Sequence, residues 1–492
     1  MNIVDRLRGA PHPEAAPALI SGDGVLSRGR LFEQVDAAAA DLREAGGVAG
    51  AGAVPRVGLL SPSDATHLVL ALAVLRAGGC VVPVPPELSP AERDELAKRV
   101  GLDVVVVAGR TRWRGAEASR LSRSVGGIDV DLVRFAANGV RAAGGGEPRF
   151  SEDDFASLDP AFVRFSSGTT GASKGVVLSH ETIARRIAAA NGGLGIGADD
   201  RVVWFLPMAH HFVSSILLFL QTGAAIVLAP SHLAADVLAI GREQAATITY
   251  AAPFHYALLA AEPSAARWPS LRRAFSTTAP LAVETARRFD ARLGVPLTQV
   301  LGIIEVGLPL MNVERAREKP EAVGRPVPGF EIELRGEPGG GATPGEIGEL
   351  YVRGPGLLDA YLSPWRRRDE IAPNGWFGTG DLARADGDGD LELVGRRGSV
   401  INVAGQKCFP EEIEAALLAH PAVGAARVHG EKHARVGAIP VAEVVPADPA
   451  LPPTEASLLA HCRARLARFK VPADFRIVSH LATTPSGKVR RS

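Results

Sequence analysis

One glycine-rich stretch, residues 165–175, constrains this chain more than any other part of its sequence. It reads Phe-Ser-Ser-Gly-Thr-Thr-Gly-Ala-Ser-Lys-Gly and has apolar residues on both sides. Glycine permits close approach of the backbone to a ligand, and successive exposed amides form an anion-binding concavity. The stretch therefore predicts a phosphate-binding loop that joins two buried strands. The residues expected to bind phosphate are Ser166, Ser167, Gly168, Thr169, Thr170, Gly171 and Lys174.

The loop is not a Walker A motif, because Lys174 precedes a glycine and a valine run instead of a Ser or Thr that opens a helix. It resembles the phosphate loop of the adenylate-forming enzymes, which include acyl- and aryl-CoA synthetases, adenylation domains and luciferases. Ser173 stands where that family usually has proline. The resemblance implies that the loop binds ATP, and it places Thr170 among the catalytic residues.

Bulk properties exclude several other classes of protein. The chain has 492 residues, more than one hydrophobic core usually supports, so we expect at least two domains. Basic and acidic residues balance at 54 each, which argues against a nucleic-acid binder held by bulk charge. The three cysteines show no metal or disulfide spacing, which is typical of a reducing compartment. We expect a cytoplasmic protein with no nucleic-acid partner, no secretory signal and no stable membrane insertion, either a monomer or a homodimer.

Alternating apolar segments predict the fold class. Strand-like runs at 57–60, 80–84 and 104–107 alternate with a helical run at 65–77 and with a capping box at 89–92, which indicates a parallel α/β sheet. We expect a large N-terminal domain of several subdomains, with parallel αβαβα-type sheets and a small β subdomain. A small, mobile α+β domain follows it. Residues 108–150 are interpreted as a surface excursion without chemistry.

The sequence texture changes near residue 396. The predicted boundaries are 1–395 for the N-terminal domain, 396–398 for a hinge and 399–492 for the C-terminal domain. A helix is expected from Pro410, with Ile413, Leu417 and Leu418 on one face. The resemblance implies that the small domain rotates about Gly398.

A Pro-x-x-His segment at 207–210 matches the family segment that lies beside the substrate carboxylate. The resemblance implies that His210 contacts the acid, and imidazole can donate a hydrogen bond to a carboxylate. Family members that activate α-amino acids have an aspartate just after this segment. No acid follows His210 here, and a buried ammonium without a partner is costly, so we expect an acid without an α-amino group. The apolar pocket is expected to use some of Phe212, Val213, Ile216, Gly302 and Ile303.

Two further segments match the family's adenine and metal motifs. Thr278, Ala279 and Pro280 occupy the place of a Gly-Ala-Pro stretch that packs on adenine, and Leu301, Gly302 and Ile304 lie in the next motif. The resemblance implies that Glu305 in that motif binds Mg²⁺, which prefers oxygen ligands. Leu301 replaces a tyrosine that covers adenine, and Ile304 replaces a threonine that meets phosphate. Each loss is worth about 0.5–1.5 kcal/mol, so we expect weaker ATP binding without its abolition.

Three motifs complete the series. A Trp-Phe-Gly-Thr-Gly-Asp segment ends at Asp381, which the resemblance assigns to the two ribose hydroxyls, and Arg396 follows near ribose and phosphate. Gly405 resembles the glycine of the thiol tunnel, although a plain hairpin turn explains its segment equally well. Lys488 matches the adenylation lysine.

The combined motifs predict an ATP-dependent acid–thiol ligase that uses ATP and Mg²⁺. A carboxylic acid becomes an acyl-AMP and then passes to a phosphopantetheine thiol, with coenzyme A as the favoured acceptor. A separate carrier protein is the alternative acceptor. The alternative to an active enzyme is a catalytically weakened homologue that binds an acyl ligand or a nucleotide.

Overall fold

The computed structural model describes residues 1–46, 48, 54–86, 88–110, 112–113, 119–135, 150–165, 174–264, 266–336, 341–403, 406–433 and 437–481. Within these residues the chain alternates strands and helices along most of its length. None of the helices described combines the length and the hydropathy that crossing a bilayer requires.

The strands, numbered along the chain, are β1 Pro17–Ser21, β2 Gly24–Ser27, β3 Arg56–Leu60, β4 Cys80–Pro83, β5 Val104–Ala108, β6 Ser119–Val125, β7 Ile128–Arg134, β8 Pro160–Phe165, β9 Gly175–Ser179, β10 Arg201–Trp204, β11 Ala225–Leu228, β12 Ile248–Ala251, β13 Arg273–Ser276, β14 Leu297–Ile303, β15 Gly307–Met311, β16 Arg325–Pro326, β17 Glu331–Arg335, β18 Gly348–Arg353, β19 Ala360–Leu362, β20 Trp365–Arg367, β21 Phe377–Ala385, β22 Leu391–Arg396, β23 Ile401–Val403, β24 Gln406–Cys408, β25 Val423–His433, β26 Gly437–Pro446 and β27 Asp474–Ile477.

The α-helices are α1 Ile3–Arg8, α2 Arg28–Glu44, α3 Ala65–Arg76, α4 Pro90–Val100, α5 Glu152–Ala156, α6 His180–Leu194, α7 Met208–His211, α8 Leu217–Thr222, α9 Ala234–Glu243, α10 Pro253–Ala261, α11 Val283–Leu293, α12 Arg368–Ile371, α13 Pro410–Leu418 and α14 Glu455–Arg463. A π-helical turn, Phe212–Ile216, joins α7 to α8. Short 3₁₀ turns occupy Pro373–Gly375, Arg397–Ser399 and Arg468–Lys470.

Two nine-stranded sheets form the body of the molecule. The first sheet has the order β16-β15-β14-β13-β12-β10-β11-β1-β2, and its six central strands from β14 to β1 are parallel. The second sheet has the order β20-β19-β9-β8-β4-β3-β5-β7-β6, with a parallel centre and antiparallel edges. Helices on both faces bury such sheets, and the runs of valine in β4 and β5 reflect that burial.

Two smaller sheets follow. Strands β17, β18, β21 and β22 form an antiparallel sheet of four strands, and β23 to β27 form the C-terminal sheet, on which α13 packs. This arrangement confirms the predicted α/β fold class with its small β subdomain and smaller C-terminal α+β unit. The residue boundaries of the domains and hinge stay a prediction.

Local sequence signals explain most elements. The largest core cluster lies between the two nine-stranded sheets, and α3 is buried all round within it, as its apolar sequence predicts. The capping box forms as expected, because the Ser89 side chain accepts from the Glu92 amide while Glu92 accepts from the Ser89 amide. Gly101 ends the same helix in the left-handed conformation at φ 66°.

Two sequence interpretations were wrong. Residues 119–134, inside the expected surface excursion, form the β6–β7 hairpin that extends the second sheet beside β5. Alternating apolar positions in β7 bury Val130 and Leu132, and this period-2 pattern outweighed the polar composition of the region. In α13, Ala416 is buried instead of Leu418, which is 42% exposed, because positions 413, 416 and 417 share the helix face.

Candidate active site

Several predicted site residues meet at one edge of the first sheet. Strands β10, β12, β13 and β14 are parallel, so their carboxyl ends open at the same edge, where α/β proteins bind ligands. His210 follows β10, Thr278 follows β13, and residues 301–303 end β14. A Cβ built on Gly302 would lie 3.7 Å from the Thr277 hydroxyl, so the ends of β13 and β14 are in contact there.

The predicted adenine segment has a strained backbone. Thr278 has φ 77°, a left-handed conformation that is an outlier for a β-branched residue. Ala279 and Pro280, which follow it, are exposed. Such strain persists only where the surrounding structure holds it, and it concentrates at ligand sites. The conformation therefore agrees with a segment shaped for a ligand.

Glu305, the predicted magnesium ligand, is held from three directions. The Tyr361 hydroxyl donates to Glu305 Oε1 at 3.1 Å. The amide of Leu358 donates to the Glu305 carbonyl at 2.7 Å. Arg186 Nη1 donates to the carbonyl of the preceding residue, Ile304, at 2.7 Å. Hydrogen bonds thereby fix both the backbone and the side chain of Glu305.

Two arginines add positive charge around Glu305. Burial lowers the pKa of the Arg164 guanidinium to about 10, and the Glu305 carboxylate opposes this shift. Burial likewise lowers the pKa of Arg186 to about 9, opposed by Asp359 and Glu305. Both groups stay charged at neutral pH. Arg164 also donates to the carbonyl of His210, which ties β8 to the predicted acid-binding segment.

The chemistry of these groups fits a magnesium–nucleotide site. Glu305 offers a carboxylate, the donor that Mg²⁺ prefers, and it is only partly buried. Within the described ranges, one set of three acidic side chains could share an ion, namely Asp386, Asp388 and Asp390. The Lys319 ammonium already lies among them, 2.6 Å from Asp388 and 3.0 Å from Asp390. That set is therefore an ion-pair network, and Glu305 remains the candidate.

The predicted ribose site brings its two residues together. Asp381 on β21 and Arg396 on β22 are cross-strand partners, and Arg396 Nε lies 2.8 Å from Asp381 Oδ1. The Asp381 amide donates to the Thr379 hydroxyl at 3.0 Å. Gly380 between them has φ 73°, which favours glycine at this turn of the strand. The pair presents a carboxylate suited to a vicinal diol.

The predicted phosphate loop connects two strands that pair with each other, as its flanking residues indicate. Phe165 at the end of β8 pairs with Gly175 at the start of β9. Lys174 Nζ lies 4.8 Å from the centroid of the Tyr361 ring. The other predicted loop, tunnel and lysine positions lie outside the described residues: Ser166, Ser167, Gly168, Thr169, Thr170, Gly171, Gly405 and Lys488.

The predicted acid pocket residues fall into two groups. Phe212, Val213 and Ile216 are buried in the π-helical turn, and the Phe212 ring packs on Phe162 at a centroid distance of 6.3 Å. Gly302 is exposed and Ile303 is partly exposed at the end of β14. π-helical turns are rare and frequently mark functional sites. The role of these residues in acid binding stays a prediction.

Gly398, the predicted hinge, lies in the 3₁₀ turn Arg397–Ser399 between β22 and β23. Its neighbour Arg397 pairs with Glu349 of β18 at 2.8 Å. This ion pair joins the hinge stretch to the small antiparallel sheet.

Sequence reasoning missed three residues of the site, Tyr361, Arg164 and Arg186. Arg164 stands directly before the phosphate loop, so its position alone was a usable signal. Arg186 and Tyr361 meet Glu305 and its neighbour only through the fold, from α6 and β19.

Known protein families match most of this chain. The AMP-binding enzyme family matches residues 7–362, and the AMP-binding enzyme C-terminal domain matches residues 412–488. Feruloyl-CoA synthase from an Amycolatopsis species is 29% identical over 496 residues, which cover 99% of this chain and 96% of that protein.

Two solved structures show the same fold over nearly the whole chain. The first is o-succinylbenzoate CoA synthetase from Bacillus subtilis with its acyl-adenylate intermediate, with a TM-score of 0.83, 25% identity, and coverage of 100% of this chain and 97% of that one. The second is an amide bond synthetase from Marinactinospora thermotolerans, with a TM-score of 0.78, 27% identity, and coverage of 99% and 97%. The resemblance inferred from the motifs is thereby confirmed, and the chain belongs to the AMP-binding enzyme family.

Proposed function

We propose that this AMP-forming acid–thiol ligase activates an apolar carboxylic acid without an α-amino group and transfers it to coenzyme A. The observation that carries the proposal is a set of contacts that links Glu305, Lys174 and the His210 segment. Tyr361 contacts both Glu305 and Lys174. Arg164 donates to the His210 carbonyl and interacts electrostatically with Glu305. In the first half-reaction the acid carboxylate attacks the α-phosphate of ATP, which gives acyl-AMP and pyrophosphate. In the second, the thiol sulfur attacks the acyl carbon and AMP leaves.

The residues of this chain do the work of positioning and charge neutralisation. Asp381 would accept hydrogen bonds from the ribose hydroxyls, and Lys174 would meet the phosphates. Such groups accelerate phosphoryl transfer by orientation and electrostatics rather than by covalent chemistry. Glu305 would hold Mg²⁺, which supplies neutralisation of phosphate charge when bound. Lys488 keeps its predicted role as the adenylation lysine.

The charges near His210 support an acid without an α-amino group. The residues after His210 carry no carboxylate that could pair with an ammonium, while the Arg164 guanidinium contacts the His210 carbonyl. An ammonium brought here would lie near the Arg164 guanidinium, and a like charge disfavours the charged form of a group in a partly buried site. Aryl and aliphatic acids both fit the apolar residues of the π-helical turn.

A panel of acids tests the proposal. Purified protein with ATP and Mg²⁺ is offered aryl acids, aliphatic acids of several lengths and free α-amino acids, and acyl-AMP is trapped with hydroxylamine. We expect hydroxamate from at least one aryl or aliphatic acid and none from the amino acids. Efficient ATP–pyrophosphate exchange with a free α-amino acid would overturn the substrate class. ATP binding without turnover on any acid would favour the non-catalytic alternative.

A separate experiment must identify the acyl acceptor, because one protein of similar structure is an amide bond synthetase. The active acid is incubated with coenzyme A, with a phosphopantetheinylated carrier protein or with a simple amine. We expect the coenzyme A thioester to form fastest. Preferential loading of the carrier or of the amine would replace coenzyme A as the acceptor and leave the adenylation proposal standing.

A further inference from the structure

A short segment of chain is hydrogen-bonded to the backbone of Glu305. We call residues 356–361 the strap. The Leu358 amide in the strap donates to the Glu305 carbonyl at 2.7 Å. Arg186 bridges the same two segments, since its Nε donates to the first carbonyl of the strap at 2.6 Å and its Nη1 to the Ile304 carbonyl at 2.7 Å. The strap and the Glu305 backbone are therefore held together at two points.

The strap ends in a tyrosine that contacts two predicted functional groups. Tyr361 is buried, with 5% of its surface exposed. Its hydroxyl donates to Glu305 Oε1 at 3.1 Å, and its ring lies 4.8 Å from Lys174 Nζ. A hydrogen bond to a carboxylate is stronger than one between neutral groups, and an ammonium is attracted to an aromatic face at this distance. One side chain thus contacts both the candidate metal ligand and the lysine of the phosphate loop.

Strand pairing fixes this arrangement. Tyr361 lies in β19, which runs antiparallel to β9, the strand that leaves the phosphate loop. Tyr361 is the register partner of Val176, close to Lys174 in the chain. A change in the position of Lys174 would therefore displace Tyr361, and through the Tyr361 hydroxyl it would displace the Glu305 carboxylate.

We propose that Tyr361 is a positioning residue for adenylation, which sets Glu305 and Lys174 in their working geometry before the nucleotide binds. This inference rests on the proposed function, because it assigns Glu305 to the metal and Lys174 to the phosphates. Preorganised charges cost no rearrangement during the reaction, which is why they contribute to rate as well as to binding.

Two substitutions separate the contacts of Tyr361. Tyr361→Phe keeps the ring beneath Lys174 and removes the hydroxyl from Glu305. Tyr361→Leu removes both contacts. Tyr351→Phe is the matched control, because Tyr351 also has a cation over its ring, with Arg335 at 3.9 Å, but lies on β18 of the small antiparallel sheet.

The first measurement needs no acid and no turnover. Binding of ATP with Mn²⁺, which replaces Mg²⁺ as a spectroscopic probe, is followed by calorimetry and by the electron paramagnetic resonance signal of free Mn²⁺. We expect about tenfold weaker binding in Tyr361→Phe and a further few-fold loss in Tyr361→Leu, the scale of one charge-assisted hydrogen bond and one cation–π contact. Tyr351→Phe should bind as the wild type does. Equal binding in Tyr361→Phe and Tyr351→Phe would overturn the inference.

The second measurement separates positioning from simple structural support. With an active acid, Tyr361→Phe should lower ATP–pyrophosphate exchange about tenfold while thioester formation from supplied acyl-AMP stays within twofold of the wild type. Equal loss of both half-reactions would show a general structural role and overturn the inference. If the wild type adenylates no acid, the proposed function fails, whereas the Mn²⁺–ATP comparison still decides the role of Tyr361.

Discussion

Removal of the Asp381 carboxylate tests the ribose site most directly. Asp381 is buried and paired with Arg396, and the proposed site lets its oxygens accept hydrogen bonds from the ribose hydroxyls. A hydrogen bond to a charged group contributes about 1.5–3 kcal/mol net. At about 1.4 kcal/mol for each factor of ten, one lost bond lowers kcat/KM for ATP by about 10- to 150-fold. Arg396, whose side chain is 45% exposed, can turn to water in Asp381→Ala, so we expect a small effect on folding.

The assay removes the two ribose hydroxyls of ATP one at a time. ATP–pyrophosphate exchange is measured with ATP, 2′-deoxyATP and 3′-deoxyATP on the wild type and on Asp381→Ala. The wild type should prefer ATP over either deoxy analogue by about tenfold or more, the worth of one such bond. The variant should scarcely discriminate between them. Glu392→Ala is the matched control, because Glu392 pairs with Arg384 at 2.8 Å on the same hairpin but is only partly buried, and it should retain the wild-type preference. Equal discrimination in Asp381→Ala and the wild type would refute the assignment.

Three other predictions follow from the same site and its supports. Lys488→Ala should lose adenylation by about 10²-fold and keep thioester formation from supplied acyl-AMP; equal loss in both assays would contradict the assigned role. Leu301→Tyr should tighten ATP by about two- to tenfold through stacking, measured by calorimetry, and weaker binding would mean that the pocket is shaped around leucine. The Lys319 ammonium holds the pKa of Asp386 at about 2, below its ordinary 3.8, so this carboxylate stabilises the fold above about pH 4 and loses that contribution as the pH falls towards 2. Lys319→Met should therefore lower the melting temperature at pH 7 and flatten its decline on acidification, and an unchanged acid profile would count against the network.

Local motifs made part of the site predictable from the sequence. Asp381 and Arg396 were both assigned, and the structure pairs them, because a hairpin brings chain neighbours into register. The phosphate loop was likewise expected between two buried strands, and Phe165 pairs with Gly175 on either side of it. In each case the signal and the contact lie within a few tens of residues.

The supports of Glu305 could not be predicted, because they come from distant parts of the chain. Tyr361 is separated from Glu305 by 56 positions and Arg186 from Ile304 by 118. No local sequence pattern around either residue indicates which residue it contacts. The Tyr361 contact depends on the pairing of β19 with β9, and the Arg186 contact depends on the packing of α6 beside β15. Composition also misled, since the polar segment 119–134 forms sheet when its alternate positions are apolar.

The two departures at Leu301 and Ile304 can be weighed against what the site retains. Each lost contact is worth about 0.5–1.5 kcal/mol, so together they weaken ATP by roughly 1–3 kcal/mol, or about 5- to 150-fold. The proposed carboxylate–ribose bond at Asp381 would alone contribute a similar amount. Neither departure touches the Glu305 carboxylate, whose position depends on Tyr361 and on backbone hydrogen bonds. The two substitutions therefore weaken mainly the affinity for ATP. We expect a raised KM for ATP and an unchanged turnover at saturating ATP. This favours an active ligase over a homologue that binds nucleotide without catalysis.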